Sequence, residues 1–84
     1  KVNATTRNSP EQLWHRDWVL STPSKTCILY LNNSNGYTEI EETGLKIDSV
    51  ENTAVIFDTN TRHRGVPQTD VDRRLVMNIT YFER

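Results

Sequence analysis

One cysteine in 84 residues excludes an intrachain disulfide and any zinc site built on cysteine. That residue, Cys27, sits in the apolar run Cys27-Ile28-Leu29-Tyr30-Leu31 and is expected to be a small buried hydrophobe. The formal net charge of −1 provides no field to gather nucleic acid or an anionic membrane surface. The pairs Arg62/Arg64 and Arg73/Arg74 are too few and too separated to form a nucleic-acid stripe. No apolar stretch approaches the roughly 20 residues of a membrane span, and no signal peptide is visible. A reducing, cytoplasmic or otherwise intracellular setting is the expectation. Also missing is any apolar stripe at i, i+3, i+4, i+7 long enough for a helix.

What remains is a chain long enough for one domain with a marginal core. It opens on Lys1 and is expected to be a segment of something longer. Residues 1–12 are polar and interrupted by Pro10, and read as a linker or loop. Beyond them, short β segments are predicted over 13–19, 26–32, 37–41, 45–50, 53–58, 62–66 and 73–82. They are divided by turn chemistry at Ser21–Lys25, Asn32–Gly36, Thr43-Gly44, Glu51-Asn52 and Thr59–Thr61. Seven short strands indicate an all-β sandwich or barrel, of which the jelly roll is one version.

Segment 73–82 carries the most information. Leu75, Met77, Ile79 and Tyr81 share one face, and Arg74, Val76, Asn78 and Thr80 share the other. If the strand lines a barrel, the polar face lines a cavity and the apolar face packs outward. Little in the chain looks able to cover that outer face, so the rest of the domain or a partner chain is the expected cover.

His15-Arg16-Asp17 is the first motif with chemical content. On a strand, residues i and i+2 point the same way about 6.5–7 Å apart, so His15 and Asp17 can converge on one ion. Imidazole and carboxylate together suit iron, manganese, zinc or nickel better than calcium. His-Arg-Asp also opens a kinase catalytic loop, but that loop needs an Asn five positions past the Asp, where Thr22 stands. The chain also lacks a glycine-rich loop and an Asp-Phe-Gly motif. The only other histidine is His63. Two His and one carboxylate form the facial-triad set of ferrous oxygenases. Read singly, His15 and Asp17 are a surface pair and His63 a turn histidine bonded to backbone. Arg74, inside a cavity, calls for a carboxylate held by two parallel hydrogen bonds, unless Asp70 or Asp72 simply pairs with it. Tyr30 shares a face with Ile28 and Asn32, where its phenol either donates to the same carboxylate or is an ordinary core hydroxyl.

Taken in order and spacing, these pieces resemble the iron- and 2-oxoglutarate-dependent oxygenases, particularly their prolyl-hydroxylase-like branch. The matching residues are His15-x-Asp17, the strand Thr26–Asn32, Gly36-Tyr37-Thr38-Glu39-Ile40, Val55-Ile56-Phe57-Asp58, His63-Arg64-Gly65, and Arg74 leading a strand that ends Tyr81-Phe82. The resemblance implies a double-stranded β-helix, a jelly-roll or cupin-like barrel, with its catalytic core over 13–84. It also implies that the segment lacks the family's earlier strand and N-terminal helices. His15, Asp17 and His63 would hold Fe(II), while Arg74 and Tyr30 would bind the distal carboxylate of 2-oxoglutarate. Dioxygen would then serve to hydroxylate a C–H bond of a small-molecule or peptidyl substrate, releasing succinate and carbon dioxide. Two other classes stay open. One is a cupin-like jelly-roll binding module in which both histidines are structural. The other is a metal-dependent hydrolase or isomerase, which needs a base that only Glu39 offers.

Overall fold

The computed structural model describes residues 2–7, 9–16 and 24–82. Seven strands occur in them: β1 (Val2–Thr6), β2 (Ser24–Tyr30), β3 (Ser34–Ile40), β4 (Lys46–Ser49), β5 (Ala54–Asp58), β6 (His63–Val66) and β7 (Arg73–Phe82). They form two antiparallel sheets, a larger one in the order β1-β7-β2-β5 and a smaller one in the order β4-β3-β6. An isolated bridge between His15 and His63 sets the segment before β2 alongside β6. The fold is therefore all-β, and no helix among the described residues is long and apolar enough to cross a membrane.

The turns follow from residue chemistry. The β3–β4 hairpin closes through Gly44 at φ 69°, a left-handed backbone that glycine adopts without a Cβ clash. Its amide donates to the Ile40 carbonyl at 2.9 Å. Asn52, at φ 65°, turns the chain between β4 and β5, and asparagine is among the few side chains that tolerate this region. One expected turn is shorter than the sequence suggests. Asn32–Gly36 reads as turn, yet Ser34, Asn35 and Gly36 already belong to β3. Gly36 is there for clearance, because a Cβ would lie 2.8 Å from Arg74 Cδ and 2.9 Å from the Val66 carbonyl oxygen.

The first segment departs from expectation more clearly. Residues 1–12 contain a strand, β1, which pairs antiparallel with β7 from Val2↔Met77 to Thr6↔Arg73. It is an edge strand held by main-chain bonds, so it needs little apolar alternation to form. Gln68, wholly buried, ties it further, its Nε2 donating to the Thr5 carbonyl at 2.8 Å and the Val71 carbonyl at 3.2 Å.

Between the sheets, Ile28, Tyr30 and Val76 form a small apolar cluster, with Ile47, Val55 and Phe57 packed against it. Polar side chains share this interior: Thr26, Thr38, Ser49, His63 and Arg74 are all buried. In β7, Arg74 and Val76 point inward, while Ile79 and Tyr81 are 43% and 41% exposed on the outside. The strand therefore turns its polar face to the interior and its apolar face out. Cys27 goes the same way. It is half-buried and paired with Ile56 and Ile79 on the outer face, so the expectation of a buried position does not hold. The apolar run around it belongs to both faces of β2 rather than to one core.

Candidate functional site

A cavity of about 310 Å³ opens between the sheets, and among its lining residues are Gln12, His15, Thr38, His63, Gly65 and Arg74. None of its described lining residues is an acid.

His15 and His63 face each other across the bridge. The His15 amide donates to the His63 carbonyl at 3.0 Å, and the His63 amide donates back at 2.8 Å. Directly paired residues of an antiparallel ladder project to the same side. Their ring centroids are accordingly 4.5 Å apart, with the rings tilted by 53°. Phe57 closes on His63 from the other side at 4.8 Å. Each imidazole is oriented by a backbone carbonyl two residues before it. His15 Nδ1 lies 2.9 Å from the Leu13 oxygen, and His63 Nδ1 lies 2.9 Å from the Thr61 oxygen. A carbonyl oxygen only accepts, so both Nδ1 atoms carry a proton, and in the neutral rings Nε2 is the acceptor atom. This is the arrangement that presents imidazole nitrogens to a metal ion. Among the described residues no third His, Cys, Asp or Glu joins the pair. Asp17, the expected third ligand, lies outside the described residues.

Arg74 is 5% exposed. Its Nε donates to Ser49 Oγ at 2.7 Å and its Nη2 to Thr38 Oγ1 at 3.3 Å. No described carboxylate pairs with it. Asp72 bridges to Arg7 at 2.9 Å, and Asp70 accepts the Asn35 amide at 3.1 Å. Burial pulls the Arg74 guanidinium below its usual range, and the neighbouring Tyr30 works against that pull. The group still keeps its charge, because an arginine is not deprotonated in proteins. Beyond Ser49 and Thr38 its described polar neighbour is Tyr30, so donors of its fork remain for an anion. Arg73, its sequence neighbour, is exposed on the opposite face.

Tyr30 is fully buried, and its phenol donates to Thr38 Oγ1 at 2.9 Å. Burial pushes the phenol up from its ordinary value, with Thr38 and then Arg74 pulling the other way. Thr38 thus accepts from both Tyr30 and Arg74, which occupies its lone pairs and leaves its own proton for an acceptor in the cavity. No spacing signal assigns Thr38 a role, although it falls within the Gly36–Ile40 stretch. Ser49 carries no sequence signal at all.

Gly65 clears the space between His63 and Arg74. The two β6 positions are on one face, about 6.5–7 Å apart. A Cβ on Gly65 would lie 3.6 Å from Arg74 Nη1 and 3.1 Å from Gln12 Oε1. Glu39, the only base available to the hydrolase reading, is turned to the outside of the smaller sheet, where Arg64 holds it at 2.8 Å. Arg64 also stacks on Trp14 at 4.4 Å, which fastens the His15 segment to β6. A second depression, of about 390 Å³, lies near Arg16, Glu41 and Arg62. Of its charges, Arg62 and Glu41 bridge each other at 2.9 Å and Asp58 pairs with Lys25.

No protein-family model, curated protein or solved structure matches the chain.

Proposed function

We propose that this chain is the catalytic core of an iron(II)- and 2-oxoglutarate-dependent dioxygenase on a double-stranded β-helix. The fold reading is supported by how the chain alternates between sheets. It runs from β1 in the larger sheet to the His15 bridge beside the smaller one. It then returns to β2, passes to β3 and β4, and crosses to β5, β6 and β7 in turn. Wrapping of this kind is what a jelly roll requires.

The observation that carries the functional reading is Arg74. A buried cation without a described acid beside it is costly unless an anion completes it. Here it lies one strand step from two imidazoles whose Nε2 atoms are set as acceptors. A ligand bearing two carboxylates suits that step, one end toward the histidines and the other in the donors of Arg74 and Thr38, with the Tyr30 phenol held behind them on Thr38. A binding module without metal or diacid leaves this cation without a purpose.

In this reading His15, His63 and Asp17 hold Fe(II), which supplies activation of dioxygen when bound. The chain's own residues do the rest. Arg74 and the Thr38 hydroxyl grip the distal carboxylate, while Tyr30 holds Thr38 and stays protonated. Gly65 leaves room for the diacid's carbon chain, and Ile28 and Val76 shield it from water. The balance is 2-oxoglutarate, dioxygen and R–H giving succinate, carbon dioxide and R–OH, with one oxygen atom in succinate and the other in the alcohol. The exposed apolar side chains of Ile56, Ile79 and Tyr81 fit a further layer of chain or a partner over the larger sheet.

Calorimetry with Mn(II) in place of iron tests the assignment. 2-Oxoglutarate should bind about 10–150-fold more tightly than pyruvate, which lacks the distal carboxylate, from about 1.5–3 kcal/mol of charged hydrogen bonding. Arg74→Met should erase the preference. Equal affinities in the unmodified protein would refute it.

A further inference from the structure

The pairing around His15 contains an irregularity of one residue. In an antiparallel ladder, a hydrogen-bonded pair His15↔His63 is followed two residues on by Leu13↔Gly65, the Gly65 amide donating to the Leu13 carbonyl. The chain does otherwise. Gln12 rather than Leu13 donates its amide to the Gly65 carbonyl, at 3.2 Å. The Gly65 amide donates to the side-chain Oε1 of Gln12, at 2.9 Å. Between these two pairings Leu13 and Trp14 thus face Arg64 alone, which is the two-against-one count of a β-bulge.

The bulge bears on the imidazole. Relieved of Gly65, the Leu13 carbonyl accepts from His15 Nδ1 at 2.9 Å instead. Leu13 itself points to solvent, 86% exposed, as a bulged residue does. Among the described residues the acceptor for the Gly65 amide is this side-chain oxygen, so the side chain at position 12 decides whether the Leu13 carbonyl is available to the ring.

We propose that Gln12 is a positioning residue for His15: its amide oxygen replaces a main-chain carbonyl in the ladder and so releases the carbonyl that fixes the ring with Nε2 toward the cavity. The proposal rests on the reading of His15 as a metal ligand, and it names what orients that ligand. Gly65 belongs to the same device, because a Cβ there would press on the Gln12 oxygen at 3.1 Å.

The test uses Gln12→Met, which keeps the length of the side chain and removes its strong acceptor, and Gln12→Glu, which keeps an oxygen. The ring ¹⁵N shifts of metal-free protein report the tautomer of each histidine. In the unmodified chain both rings should show a protonated Nδ1. In Gln12→Met the Gly65 amide should reclaim Leu13, and His15 should move toward the Nε2–H form. His63, held separately by Thr61, should not change, which also shows that the fold is intact. Gln12→Glu should restore the His15 signature. Co(II) affinity should fall about 10–100-fold in Gln12→Met, the usual loss when the group orienting a ligating histidine is removed. Unchanged His15 shifts and Co(II) affinity in Gln12→Met would overturn the proposal. If the tautomer moves as expected but the unmodified protein binds no Co(II), the metal reading is what fails.

Discussion

Replacing Arg74 with Met should weaken 2-oxoglutarate binding about 10–150-fold and leave the fold as stable as before, or more so. Taking the guanidinium out of water costs several kcal/mol. Its hydrogen bonds to Ser49 and Thr38 return about 1.5–3 kcal/mol each, so the buried cation roughly breaks even at best. Met fills much of the same space with apolar surface, and neither hydroxyl is orphaned. Ser49 still donates to the Gly36 carbonyl at 2.8 Å, and Thr38 still accepts from Tyr30 at 2.9 Å. The expected change is from zero to about 3 kcal/mol of added stability, within the range seen when buried ions give way to apolar residues. Urea denaturation measures it directly. With 2-oxoglutarate added to the Mn(II) protein at 100 times its dissociation constant, the unmodified protein should gain about 2.7 kcal/mol and the variant, binding about 10–150-fold more weakly, about 0.3–1.4 kcal/mol. The unmodified protein should therefore gain about 1.3–2.4 kcal/mol on the variant when ligand is added. A loss above about 3 kcal/mol in the ligand-free variant would refute the reasoning. It would mean that the cation is already neutralised within the fold, since breaking a buried ion pair costs that much.

Gly36→Ala should lower stability by about 1–3 kcal/mol in the same assay, because its Cβ meets backbone at 2.9 and 3.0 Å and the Arg74 stem at 2.8 Å; an unchanged midpoint would show that the β3 edge yields freely. Gly65→Ala places a methyl beside Arg74 Nη1 and Gln12 Oε1, and should weaken 2-oxoglutarate more than it weakens Mn(II), as calorimetry can separate. Tyr30 has its folded value raised by burial, so its contribution is intact below about pH 10, where the unfolded phenol titrates, and is lost as pH rises through the higher folded value. The urea midpoint should accordingly fall as pH rises past about 10, and Tyr30→Phe should lessen that fall; an identical fall in the variant would count against a buried phenol.

The interior and exterior of β7 were legible because strand alternation is strict. Once Arg74 and Val76 are placed inside, Ile79 and Tyr81 must lie outside, and the polar face of a strand otherwise rich in apolar residues marks a lined cavity. The same alternation separates Arg74 from Arg73. The approach of His15 to His63 was legible only as a possibility of winding back, since nothing local encodes a contact between residues so far apart in sequence. β1 was hidden because its strand character comes from the partner's backbone and not from its own side chains. Cys27 was misjudged because an apolar run on a strand serves two faces, and here the outer face is apolar too. Thr38, Ser49 and Gln12 were out of reach. A hydroxyl or amide becomes a site residue only when folding brings a donor or acceptor to it from another strand, and no spacing rule encodes that. Asp17 lies outside the described residues, so its place beside the two histidines rests on the His-x-Asp spacing.

The most direct measurement is the visible spectrum of the anaerobic protein mixed with Fe(II) and 2-oxoglutarate. A keto acid chelated to ferrous iron gives a weak metal-to-ligand charge-transfer band. The account predicts that band for the unmodified chain, and its loss in His63→Ala and Asp17→Ala. A folded protein that shows no band would contradict the assignment of iron and cosubstrate to this cavity.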